Sequence, residues 1–164
     1  MGTFREHLNT IKKGASREVK EVNENINEDV QNSLQAIVDS LIDAGNILQT
    51  AHWNLRSSSF IAIHPWFGET YDALFSMADA VAEQIKIADI NLMVNVNRGT
   101  TTTATDEQEL FERVKESLNS VKYSLEAAME DSTLSRTLQN LIDGWMADIT
   151  KMIWFVEASI KTAE

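Results

Sequence analysis

The sequence predicts an all-α fold: a four-helix bundle preceded by a short N-terminal helix. Three observations carry this. Apolar residues recur at steps of three and four through four long segments, the spacing that gives a helix one buried face. One proline and six glycines in 164 residues leave few interruptions, since these are the residues that break helices. The connectors are short or moderate polar stretches, which suits neighbouring helices of a bundle.

The elements follow in order. Residues 1–26 are expected to form an arm or short amphipathic helix, and residues 27–164 the bundle. Between 27 and 55 the apolar stripe runs Val30, Leu34, Ile37, Leu41 and Leu48, with Ala44 and Gly45 between the last two. His52 is the next position on that stripe and is expected to point inward. Ser57, Ser58 and Ser59 break the pattern. A second helix is predicted to begin near Ile61–Pro65, because proline is tolerated in a first turn. Its core face would be Phe67, Tyr71, Leu74, Ala78, Val81 and Ile85. The stretch Asn95–Gly99 and the threonines after it read as a loop. Thr105 and Gln108 have the spacing of a capping box ahead of Leu110, Val114, Leu118, Val121, Leu125 and Ala128. Asp131 or Ser132 is expected to cap the last helix, whose stripe is Leu134, Leu138, Leu141, Trp145, Met152, Val156 and Ile160.

Composition narrows the function. Hydrophobic content of 43% and charge of 24% are ordinary for a globular domain. No run approaches eighteen apolar residues, so no membrane span is expected. The opening MGTFREHLNTIKK lacks the apolar core of a secretory signal, and a cytoplasmic setting is the expectation. With no cysteine, any metal must be held by His, Asp and Glu. The net charge of −11 opposes generic binding to nucleic acid. It is uneven: Arg5, Lys12, Lys13, Arg17 and Lys20 against Glu6 and Glu18 give residues 1–20 a net +3, leaving −14 on the rest. A basic arm touching DNA is thus conceivable but disfavoured, a solvated helix being the simpler reading. An acidic body better suits the attraction of cations.

Two of the three histidines bracket one short stretch, HWNLRSSSFIAIH, from His52 to His64. Asp79 and Glu83 stand four apart on the second helix and share one stripe, with Asp72 seven before Asp79. Carboxylates with imidazoles form a ligand set for iron, manganese or zinc rather than calcium. Singly, these features have plainer readings. Acids four apart usually line a solvated face, and an inward histidine is usually a hydrogen-bonded core residue.

Their joint spacing resembles the signature of the Dps family, ferritin-like miniferritins named for protecting DNA in starved cells. The matching residues are His52-Trp53-Asn54, Phe60, His64, then Asp79 and Glu83. The segment DSTLSRTLQNLIDGWMADITKMIWFVEASI is similar to the family's last helix, and the likeness spans roughly residues 27–161. The resemblance implies a ferritin-like bundle and a homo-oligomer, a hollow dodecamer built from twofold dimers. It implies iron (Fe2+/Fe3+) as the metal, bound by His52 and His64 of one subunit with Asp79 and Glu83 of its partner. Those four would form the catalytic ferroxidase site, oxidising Fe(II) with peroxide or oxygen, and iron oxide would be stored inside. Trp53 and Phe60 would exclude water from that site.

The sequence also departs from the family. A carboxylate commonly follows the second histidine by four residues, and here that position is Gly68, with Glu69 and Asp72 nearby as substitutes. Pro65 directly follows His64, and the connection between the second and third helices is shorter than usual, with no room expected for the family's small helix. Glu126, Glu130 and Asp131 near a helix junction are either an ion-entry pore or a plain acidic loop. Two rival functions stay open: a structural packaging assembly with a degenerate iron site, and DNA binding through the N-terminal arm.

Overall fold

The structure is a computed structural model. It describes residues 4–87, 101–131 and 134–160, with side chains from residue 28 onward. Four helices make up the fold: α1 (Phe4–Asn54), α2 (Phe60–Ile87), α3 (Glu107–Met129) and α4 (Arg136–Ile160). The expected N-terminal helix is not separate. Its backbone runs on into the first bundle helix as one element of 51 residues. The basic side chains of that arm lie outside the described side chains.

The order of the helices follows from three contacts. Thr50 and Asn54, at the end of α1, hydrogen-bond Thr102, and the Ser57 hydroxyl donates to Glu107. So α3 starts at the end of the bundle where α2 starts, and the two run parallel. The connection of residues 88–106 must return the chain along α2, about 42 Å for 28 residues. Nineteen residues reach about 60 Å when extended, enough to make the return. The expectation that this connection has no small helix falls on residues 88–100, outside the described part. α1 packs beside α2 and α3, and α4 beside α3 and α2. Every neighbouring pair is therefore antiparallel, so adjacent helix dipoles oppose one another.

The apolar stripes fill the centre. Val30, Leu34, Ile37, Leu41, Ala44 and Leu48 of α1 are buried, as are Phe67, Leu74, Ala78, Val81 and Ile85 of α2. All six predicted positions of α3 are buried too. Phe67 of α2 and Phe111 of α3 meet edge to face at the core, 5.7 Å between centroids. Trp66 of α2 stacks on Phe155 of α4 at 4.3 Å. Gly45 permits the opposite. A Cβ there would lie 2.4 Å from a ring carbon of Phe75, so α2 approaches α1 closely only because position 45 has no side chain.

Local details differ from the sequence expectation at the helix ends. α2 begins at Phe60, its first turn anchored by the Ser59 carbonyl, which places Pro65 inside the helix. The missing N–H leaves the carbonyl of Ile61 without its helical donor, at a residue 85% exposed and so open to solvent. The cap of α3 is Asp106 rather than Thr105: its carboxylate accepts from the backbone N–H of Gln108 and Glu109, both at 3.1 Å. A carboxylate one residue nearer the helix, facing the positive end of its dipole, is the better acceptor. α4 is capped by Ser135, whose hydroxyl accepts from the N–H of Leu138, not by Asp131, while Ser132 lies outside the described residues. Its buried face is Leu138, Ile142, Ile149, Ile153 and Val156. Leu134, Leu138 and Val156 are buried as predicted, but Leu141, Trp145, Met152 and Ile160 are only half-buried, because Ile142, Ile149 and Ile153 take the middle of the buried face. Among the described residues no helix is long and apolar enough to cross a membrane.

Candidate metal centre

The helical hairpin of α1 and α2 brings the two histidines together. His52 sits in the last turn of α1 and His64 in the second turn of α2. Their rings lie 3.7 Å apart, tilted by 33°. His52 is half-buried rather than fully inward. Its Nδ1 lies 2.8 Å from the carbonyl oxygen of His64. A carbonyl only accepts, so Nδ1 carries the proton and donates. The neutral ring then holds its free lone pair on Nε2, the tautomer a metal ligand needs. His64 is flanked on its other side by Phe60, 4.5 Å away, and Tyr71 meets His52 edge-on at 5.6 Å. Partial burial holds the His64 imidazole below the usual histidine range, and the repulsion it would meet from a protonated His52 adds to this. Both effects favour the neutral ring, the form that coordinates a cation.

Gly68 is part of this geometry. A Cβ at that position would meet Cε1 of His52 at 3.4 Å and Nδ1 at 3.6 Å, and no other atom within 4 Å. The His52 ring therefore rests against the backbone of α2 one turn after His64. Glu69 does not take the place of a side chain there: it lines the groove between α2 and α4 with Asp148 and Lys151, round the helix from the histidines. Asp72 is exposed one turn beyond Gly68.

The acids predicted to join the histidines stand elsewhere. Asp79 and Glu83 are exposed on α2, and Asp79 lies fifteen residues from His64, about 22 Å along the helix. Within one chain the two halves cannot meet. No group of three or more potential ligands is found among the described residues. Of the flanking aromatic residues, Phe60 packs on His64, whereas Trp53 is 67% exposed and lines a groove with Ile42 and Phe75. Sequence reasoning missed Tyr71 as a neighbour of His52, although its position seven residues after His64 puts both on one stripe. It also missed the carbonyl of His64 as the group that orients His52, since backbone acceptors leave no sequence signal.

Four helices with antiparallel neighbours and a histidine pair on the first hairpin form a helical bundle of the ferritin-like kind. A ferritin family profile, described as a ferritin-like domain, matches residues 31–164. The chain is 25% identical over 134 residues to the DNA protection during starvation protein of Agrobacterium fabrum, covering 74% of this chain and 82% of that one. A Mycobacterium smegmatis Dps mutant structure superposes with a TM-score of 0.70 at 21% identity, covering 83% of this chain and 97% of that one. The Vibrio cholerae O1 Dps structure, described as a member of a broad superfamily of ferritin-like diiron-carboxylate proteins, gives 0.72 at 16% identity, covering 83% and 91%. The chain belongs to the ferritin-like family, and its fold is that of the Dps structures it superposes on.

Proposed function

We propose that this protein binds and oxidises Fe(II) between subunits and stores the product as iron oxide inside a hollow, dodecameric shell. His52 and His64 of one subunit and Asp79 and Glu83 of a second hold the iron. The observation that carries this reading is the prepared histidine pair. His52 is held in one tautomer by the His64 carbonyl, with Nε2 left to bind, while the chain's candidate acids are exposed far along the same helix. Half a site in each chain calls for a second copy. Two copies of α2 crossing antiparallel would bring position 64 of one to positions 79–83 of the other.

The chemistry follows from the donor set. Imidazole suits Fe(II), and carboxylates favour the harder Fe(III), so the site lowers the barrier to electron loss. Two Fe(II) ions give one electron each to one peroxide. Its O–O bond breaks and, with two protons, two waters form, so no hydroxyl radical is released. That stoichiometry would protect the cell from peroxide.

Complementation tests the shared site. Neither His52→Ala/His64→Ala nor Asp79→Asn/Glu83→Gln alone should bind Fe(II) tightly in anaerobic titration. Oligomers assembled from both variants should regain about half the sites of their mixed dimers, because one pair of halves is intact. No recovery in mixtures whose assembly is verified by light scattering would overturn the intersubunit assignment. Gly68 beside His52 gives a second reading its footing, an assembly protein without turnover. It predicts an intact oligomer whose Fe(II) oxidation equals that of the His52→Ala/His64→Ala variant.

A further inference from the structure

Resting on the reading above, the geometry points to Thr50 and Asn54 as positioning residues that clamp the end of α1 to the segment 101–105 ahead of α3 and so hold His52 against His64. The clamp has two arms and one centre. The backbone N–H of Thr102 donates to the Thr50 hydroxyl at 3.1 Å, and the Asn54 amide donates to the Thr102 carbonyl at 3.1 Å. Thr102 thus has both main-chain groups bound by side chains one helical turn apart. It is buried despite being polar, and its own hydroxyl accepts from the N–H of Ala104 at 3.1 Å, which braces the segment. The Thr50 hydroxyl in turn donates back to its helix, at the carbonyls of Asn46 and Ile47. The Thr50 hydroxyl thus both accepts from the Thr102 N–H and donates within its own helix.

Position matters as much as bonding. His52 lies two residues from each arm, about 200° round the helix, so the segment grips α1 on the side opposite the histidine. The segment holds α1 from one side while the hydrogen bond from His52 to the His64 carbonyl holds it from the other. α1 ends at Asn54, and the last turn of a helix, with its unsatisfied carbonyls, is where fraying starts. A frayed turn would carry His52 away from His64. The clamp stops this at the one turn where it would undo the ligand pair. Asn54, the last residue of the HWN triplet, therefore acts through the backbone and not as a ligand.

The full-length protein is tested as Thr50→Val, Thr50→Ser and Asn54→Leu, with Ser135→Ala, which removes the α4 cap, as a control of similar stability cost. In the metal-free protein, amide exchange of residues 52–55 should accelerate at least tenfold in Thr50→Val and Asn54→Leu and stay near wild type in Thr50→Ser and Ser135→Ala. Anaerobic Fe(II) affinity should fall roughly 10- to 100-fold in the first pair only. Affinity losses in Ser135→Ala equal to those in Thr50→Val would make the effect one of general stability and overturn the inference. So would unchanged exchange in both clamp variants. Wild-type protein that binds no Fe(II) through its histidines would sink the functional reading alone, and the exchange measurement would still decide the clamp.

Discussion

Adding one methyl group at each of two helical glycines should have opposite effects, and the difference tests the packing of α1 on α2. In an open position, Gly→Ala stabilises a helix by about 1 kcal/mol, because alanine loses less backbone entropy. Gly144 on α4 is such a position: a Cβ there would meet nothing within 4 Å. Gly144→Ala is expected to give that full gain. At Gly45 the new Cβ would stand 2.4 Å from one ring carbon of Phe75 and 2.9 Å from two others. Carbon atoms in contact sit about 3.5–4.0 Å apart, so the ring must move by more than about 1 Å. Phe75 also packs near Tyr71, 6.1 Å between centroids, which restrains that movement. Overpacking of this size costs about 1–3 kcal/mol, so Gly45→Ala should be destabilising by up to about 2 kcal/mol after the propensity gain. In a Phe75→Ala background the clash is gone and the same change should stabilise by about 1 kcal/mol. Urea unfolding at fixed subunit concentration reads all four variants and yields the coupling between positions 45 and 75. If Gly45→Ala stabilises as much as Gly144→Ala in both backgrounds, the close approach of α2 to α1 is wrong.

Other expectations follow from single features. His64 titrates below its usual range in the folded chain, so below the unfolded value of about 6.5 the unfolded chain binds more protons. Stability should therefore fall as pH drops from about 6.5 through the lowered folded value, and the slope should flatten in His64→Gln. An equal slope in that variant would remove His64 as its source. Asp106→Ala deletes the acceptor for two N–H groups and should cost about 1 kcal/mol in urea unfolding, with no change in oligomer size by light scattering. Gly68→Asp adds a carboxylate beside His52 where the Cβ has room at 3.4 Å. Anaerobic titration should show Fe(II) binding tightened roughly tenfold, and an unchanged affinity would show that position 68 does not face the iron.

The bundle was legible in the sequence because helix periodicity is a local property. Leu34, Ile37, Leu41 and Leu48 report their buried face by spacing alone, and so do Val114, Leu118, Val121 and Leu125. Helix ends were less legible. Asp106 and Ser135 cap where Thr105 and Asp131 were equally good candidates, because capping depends on backbone angles that several neighbouring polar residues could adopt. The middle of the α4 stripe was misplaced for a related reason, although Leu138 and Val156 are buried as predicted. Leu141 and Ile142 are both apolar, and only the helices packed against them decide which is buried.

The sequence by itself determined the helical class and the types of side chain available to a metal: two imidazoles twelve residues apart and a pair of acids one turn apart. Tertiary structure decided which of them meet. Folding the α1–α2 hairpin at Ser57–Ser59 stacks His52 on His64 and turns its Nδ1 to a carbonyl, while the rigid rise of α2 keeps Asp79 about 22 Å and Glu83 about 28 Å away. Spacing along a chain fixes which face of a helix a residue occupies. Only packing between helices, and between copies, sets the distance from one face to another.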